Sequence, residues 1–266
     1  MNVDLELLQF RHSNYNEKVR WALEFKGLRH TKTDLLPGPH TRTLKKLTGQ
    51  TQTPVLRMNS QYIPDSTSIV ERLELVFKDA PKLFPADEDL EDRAREVARH
   101  FDFVVGPAVR ICVFTAMLDE PRYVADLFSA GKSPLTRALY RTVMPLLVGP
   151  IKRANGMTEA DSYTRASRLL ETNMESLATV TFKRRYLAGD AFSVADLTAA
   201  SMIAPLIDPP HPDMQLPRPM PPKLAELTQK WRDHAAGRWA LEMYELHRTR
   251  TERDASGSFG AVTRPS

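Results

Sequence analysis

The sequence predicts two domains of different class, α/β followed by all-α: a mixed βαβ-ββα domain over residues 1–80 and a helical bundle over 89–250, with 251–266 reading as a disordered tail. Three observations carry this. Up to about residue 80 the apolar pattern changes character every ten to fifteen residues, as alternating strands and helices require. From Asp89 onward apolar residues recur at helical spacing almost without strand signals. The Pro-rich connector "KDAPKLFPADE" separates the two grammars.

In the first domain, "LELLQF" (5–10) reads as a buried strand and "NEKVRWALEFKG" (16–27) as a helix closed by Gly27. "RHTKTDLL" reads as a strand before the breaker "PGP", and "RTLKKLTG" as a short helix. "PVLRMN" and "QYIP" form a hairpin, and "STSIVERLELVF" a final helix. Pro54, which cannot donate an amide, suits the start of a strand. Beyond the connector, helical segments fall near 89–118, 121–154, 158–181, 193–207 and 222–236, the last entered through "DPPHPDMQLPRPMPP". The break "FSAGKSPL" splits or kinks 121–154.

With 266 residues the chain buries a substantial core. No run approaches the roughly 18 consecutive apolar residues of a membrane span, and the N-terminus carries acids where a targeting segment needs bases. Neither a membrane nor a metal is expected. The single cysteine, Cys112, lies among apolar residues and reads as a core thiol, which suits a reducing cytoplasm. The net charge of +4 reads as diffuse, and no aromatic-basic interleaving suggests nucleic acid.

Ser13 stands between the first strand and the first helix. It or Asn14 serves as an N-cap, with Glu17 completing a box-like arrangement, or else its hydroxyl and the positive helix end together hold a thiolate. These residues alone leave both readings open. Ser193 and Asp196, in "GDAFSVADLTAAS", have capping-box spacing ahead of an apolar helix.

The βαβ-ββα grammar, the strand-to-helix Ser13, "TQTPVL", "PDSTSIVERL" and the helical second domain together resemble the glutathione transferase superfamily over nearly the whole chain. The resemblance implies a thioredoxin-like first domain and an enzyme that takes glutathione as co-substrate, stabilises its thiolate and directs it at a small apolar electrophile. The alternative is a non-catalytic binder of glutathione or of hydrophobic ligands. The resemblance also implies a cis Thr53–Pro54 bond, with the Thr53 backbone pairing the cysteinyl unit as an added strand. Ser66 would hold the γ-glutamyl carboxylate, Asp65 would stand near the α-amino group, and His40 or Lys45 would meet the glycyl carboxylate. The Ser193–Asp196 box becomes a buried folding feature.

Two departures matter. No cysteine occupies the strand-to-helix position, so disulfide exchange is not expected. Asn14 stands where Pro is frequent, which leaves Tyr15 and Asn16 as alternatives to Ser13 for the thiol; His12 reads as packing. An electrophile pocket is expected near Phe101, Phe103, Val105, Phe114 and Met117, residues that a helical core also needs. A cytoplasmic, detoxifying homodimer is implied, paired through "IVERLELVF" and "REVARHFDF".

Overall fold

The computed structural model describes residues 3–248. The expected tail, 251–266, lies outside them. In the first domain β1 (Leu5–Gln9) leads into α1 (Asn14–Phe25), which crosses to β2 (Thr31–Asp34). Then follow α2 (His40–Thr48), β3 (Val55–Met58), β4 (Gln61–Pro64) and α3 (Ser66–Val76). Gly49, at φ 78°, ends α2 in the left-handed conformation that glycine adopts without a Cβ penalty. The four strands form one mixed sheet in the order β2-β1-β3-β4. β1 runs parallel to β2, with Leu7 opposite Lys32, and antiparallel to β3, with Leu7 opposite Leu56. Val19, Ala22 and Leu23 of α1 pack with Ile69, Val70 and Leu73 of α3 and with Leu5, Leu7 and Leu56 of the sheet.

The helical domain opens with a rod of α4 (Glu88–His100), a π-helical turn (Phe101–Val105) and α5 (Gly106–Met117). Asp87 caps α4 by accepting the Leu90 amide at 3.0 Å, and three acids in the first turn complement the helix dipole. The rod has the length and composition of a membrane span, a point the run-length reading did not catch, but half of its most apolar window is buried within the protein. Next come α6 (Pro121–Phe128) and α7 (Pro134–Ala154), the separate pair into which "FSAGKSPL" divides this section, and α8 (Ser162–Lys183). α9 (Val194–Ile207) is buried on nearly every face, touching α1, α4, α5, α10 (Pro222–Asp233) and α11 (Ala235–His247).

Helix α11 departs from the sequence reading, which stopped at 236. Ala236, Trp239, Ala240 and Met243 bury at helical spacing. Gly237 lets α11 turn tightly against α10, since a Cβ there would lie 1.7 Å from the Trp231 carbonyl oxygen. The capping box at α9 forms. Asp196 Oδ2 accepts from the Ser193 amide at 2.9 Å, and Oδ1 from the Leu187 amide at 2.8 Å. Burial pushes the Asp196 carboxyl up to about 6, against the pull of these hydrogen bonds.

Two polar clusters join the domains along α1. In the first, Asp102 of the π-turn accepts from Lys18 Nζ at 2.6 Å and from the Thr67 hydroxyl at 2.8 Å. In the second, Glu17 pairs with Arg20 Nε at 2.7 Å and Arg248 Nε at 2.9 Å. Asp213 pairs with Lys32 at 2.8 Å, and Arg248 also meets Glu24. Three carboxylates thus face three cations, nearly all out of water. Burial raises the Glu17 carboxyl, yet Arg248 and Arg20 overcome this and hold it at about 2.

Candidate functional site

Ser13 is extended, at φ −90° and ψ 132°, and takes the N-cap position of α1, yet its side chain makes no capping hydrogen bond. The expected box with Glu17 does not form either, because Glu17 is drawn wholly into the second polar cluster. Asn14 is committed too: its Oδ1 accepts from the Tyr15 amide at 3.1 Å, and its Nδ2 donates to the Met202 carbonyl at 3.4 Å. Among the described residues, a partly exposed hydroxyl therefore stands uncommitted at the positive end of a 12-residue helix.

Tyr15 and Asn16 are differently placed. The Tyr15 hydroxyl donates to the Asp102 carbonyl at 2.6 Å, and burial pushes the phenol up to about 12. The Arg110 guanidinium lies 5.6 Å from its ring centroid. Gly106 permits this close packing, since a Cβ there would lie 2.8 Å from the Tyr15 hydroxyl and 2.9 Å from Met202 Sδ. Asn16 donates from Nδ2 to Thr53 Oγ1 at 3.0 Å. Both side chains already have protein partners, so they position neighbours and leave Ser13 as the free group.

The Thr53–Pro54 bond is cis, and Thr53 stands half-buried just before β3. At the start of α3, Asp65 adopts φ 72°, a left-handed conformation costly for a residue with a Cβ, and its Oδ1 accepts the Ser68 amide at 2.9 Å. Asp65 is thus the cap of α3. Ser66 follows as the first helical residue, buried, with no hydrogen bond from its hydroxyl among the described residues.

His40 begins α2. Its Nδ1 accepts the Gly38 amide at 3.0 Å and its ring meets Phe10 edge-on at 4.7 Å. Burial holds its pKa below the ordinary value, which favours the neutral ring. Lys45 lies exposed on the same helix. Of these two, Lys45 is the one that offers a charge to a carboxylate.

The expected electrophile pocket is not assembled from the five residues proposed for it. Phe101, Val105 and Met117 are core, Phe103 is 73% exposed, and Phe114 meets the Phe128 ring at 6.3 Å. Asp102 and Arg110 were missed. Their signal was a charged residue within an otherwise apolar stretch. His12 is half-buried, donates from Nε2 to the Gln215 carbonyl at 3.1 Å and is held down to about 4, chiefly by desolvation, so it remains neutral. Cys112 is a core thiol that burial raises to about 11. Among the described residues no cluster has the makings of a metal site.

Around the first turns of α1, several buried polar atoms have no partner among the described residues: Asn16 Oδ1, Asp102 Oδ1, Arg110 Nε and Arg11 Nε. An orphaned buried atom is a desolvation cost of about 1–3 kcal/mol unless something supplies a partner.

A four-stranded sheet flanked by helices, a cis proline opening β3, a free hydroxyl at one helix start and a buried serine at another define a thioredoxin-like domain built onto a helical one. Residues 7–81 match the family described as glutathione S-transferase, N-terminal domain. No curated protein matches the chain. Among solved structures, the β-etherase LigF from Sphingobium sp. strain SYK-6 is similar at 20% identity and a TM-score of 0.60, covering 90% of this chain and 98% of its own. A glutathione S-transferase from Methylobacterium radiotolerans, in complex with glutathione sulfonate, is similar at 21% identity and 0.53, covering 90% and 94%. FzlA from C. crescentus is similar at 17% identity and 0.53, covering 97% and 96%. The matched stretch corresponds to that family's N-terminal domain, and the fold of these solved structures is shared over about nine-tenths of the chain.

Proposed function

We propose that this protein binds glutathione along the first domain, holds its sulfur as a thiolate at the start of α1 and directs it at an apolar electrophile beside α5. The observation that carries the reading is the Ser13 hydroxyl, which sits at the N-cap without capping. In this reading the Thr53 backbone pairs with the cysteinyl unit, and Ser66 with the α3 N-terminus takes the γ-glutamyl carboxylate. Asp65, exposed, faces the α-amino group, and Lys45 attracts the glycyl carboxylate. Asn16 fixes Thr53 through its 3.0 Å hydrogen bond.

A thiol with a pKa near 8.5 is only about 3 per cent ionised at pH 7, and a drop of about two units, about 2.7 kcal/mol, makes most of it thiolate. A hydroxyl donating to the anion supplies roughly 1.5–3 kcal/mol, and the helix end roughly 0.3–1. These suffice without a general base. The thiol proton passes to solvent on binding; the sulfur lone pair then forms the bond to carbon, and the leaving group departs with its electron pair.

A glutathione titration with thiolate absorbance tests this. Ser13→Ala is expected to leave affinity nearly unchanged and to raise the bound thiol's pKa by about one to two units. Tyr15→Phe and Asn16→Ala should shift it less. A bound thiol that none of the three moves would make the protein a non-catalytic binder, and no binding at millimolar glutathione would end the reading. A homodimer is part of the proposal, supported by large apolar side chains left exposed on these elements: Leu75 and Val76 of α3, Leu90 of α4 and Phe103 of the π-turn. Light scattering that gave a monomer mass at micromolar protein would remove it.

A further inference from the structure

The chain's positive charge is concentrated where the sequence reading had it diffuse. Residues 121–154, the α6–α7 pair, carry six basic residues and one acid, a surplus of five against +4 for the whole chain. Helix α7 itself has no acidic residue. It is anchored on one side only: Tyr140 and Met144 are buried, the Tyr140 hydroxyl donates to the Pro37 carbonyl at 2.5 Å, and Asp126 of α6 holds Arg141 at 2.8 Å.

The opposite side of α7 is apolar and open. Leu135, Leu139 and Leu146 are 81%, 58% and 79% exposed, and their spacing of four and seven puts them on one stripe. The exposed residues between them on that face, Ala138, Thr142 and Pro145, carry no charge. Arg137, Arg141 and Lys152 flank the stripe on one side by the same periodicity, and Arg153 lies at its end.

An apolar face bordered by cations is the pattern of a helix lying in a membrane interface. A second copy seated on it would bring two basic borders together, whereas an anionic bilayer offers apolar depth and opposite charge at once. The exposed residues of α3 and α4 assigned to the dimer lie on other helices. We infer that the α6–α7 pair docks this protein onto an anionic lipid surface, with the α7 leucines among the upper acyl chains and the basic residues against the headgroups.

Vesicle flotation tests this with the full chain. The wild type is expected to float with phosphatidylcholine vesicles containing phosphatidylglycerol, to stay behind with phosphatidylcholine alone, and to be released by high salt. Replacing Leu135, Leu139 and Leu146 together by Ser should cut binding at least about tenfold at an unchanged melting temperature, because these side chains are outside the core. Lys152→Gln with Arg153→Gln should cut it about fivefold per charge. Failure of the wild type to bind anionic vesicles, or a leucine variant that binds equally well, overturns the inference. So does light scattering in which the leucine substitutions halve the mass, since the stripe would then be an interface between copies. None of these outcomes depends on glutathione.

Discussion

Two adjacent turns of α1 treat their polar groups in opposite ways. At the first turn, Ser13 has a free hydroxyl and Asn16 an unpaired Oδ1. One turn later Glu17 and Arg20 are fully buried and matched by Arg248, Asp213 and Tyr244. The Glu17 and Arg20 side chains are matched within the protein, whereas Asn16 Oδ1, with Asp102 Oδ1 and Arg110 Nε near it, has no partner among the described residues. Unpartnered buried atoms also occur away from this turn, as at Thr198, Ser201 and His211, so the contrast is one within α1, which changes regime within four residues.

The strongest way to break this contrast is Glu17→Ala, which strands two buried guanidinium groups. Removing one partner of a buried pair costs about 3–5 kcal/mol, so thermal melting should fall by more than 6 °C. Glutathione affinity of the remaining folded protein should hold. A loss of binding at an unchanged melting temperature would show that the second cluster belongs to the site.

Asp196→Ala should come next, at about 1–2 kcal/mol by thermal melting, since it leaves the Leu187 and Ser193 amides without their acceptor. Wild-type stability with lost turnover would mean that the box takes part in chemistry.

Acid sharpens the comparison by acting on groups the fold keeps neutral. Burial first, then nearby cations, hold His12 and His211 down to about 4; burial does the same for His30. Their unfolded value is near 6.5, so the unfolded chain binds protons first. Stability from these three is present above about pH 6.5 and lost as pH falls toward 4. Asp196, raised to about 6, opposes them by gaining stability between pH 6 and 4. His40 and His247, also lowered by burial, act with the three, and Glu24, raised by burial, acts with Asp196; five against two predicts a melting temperature that declines from pH 6.5 to 4, and a flat profile would contradict the burial of these histidines.

The smallest stability effect is expected of Ser13→Ala. With no capping bond to lose, it should change stability by less than about 0.5 kcal/mol, where a true cap would cost about 0.5–2. A larger loss would return Ser13 to the role of an ordinary cap and remove the contrast altogether.

The fold was legible because its signals are local. Alternation gave the strands, turn residues gave the hairpin, and three-residue spacing gave the Ser193–Asp196 box. Helix α11 was missed because a Pro-rich entry and a basic end made 222–236 look like a finish. Arg248 passed as part of the diffuse positive charge, yet it is buried. Residues on short motifs, such as Ser13, Thr53 and Ser66, stand out in the sequence and Asp102 does not, because it meets Tyr15 across 87 residues of chain. Pairing over that distance leaves no periodic trace.

Arg248 also sets an order of events during synthesis. Its partners Glu17 and Glu24 leave the ribosome more than two hundred residues earlier, and until it follows them their cluster lacks one of its three cations. The first domain therefore emerges with Glu17 and Glu24 beside Arg20 and Lys32, while Asp213 and Arg248, which complete the cluster, follow much later. It completes its own interior only when the far end of the helical domain has been translated, so the two domains reach their final state together.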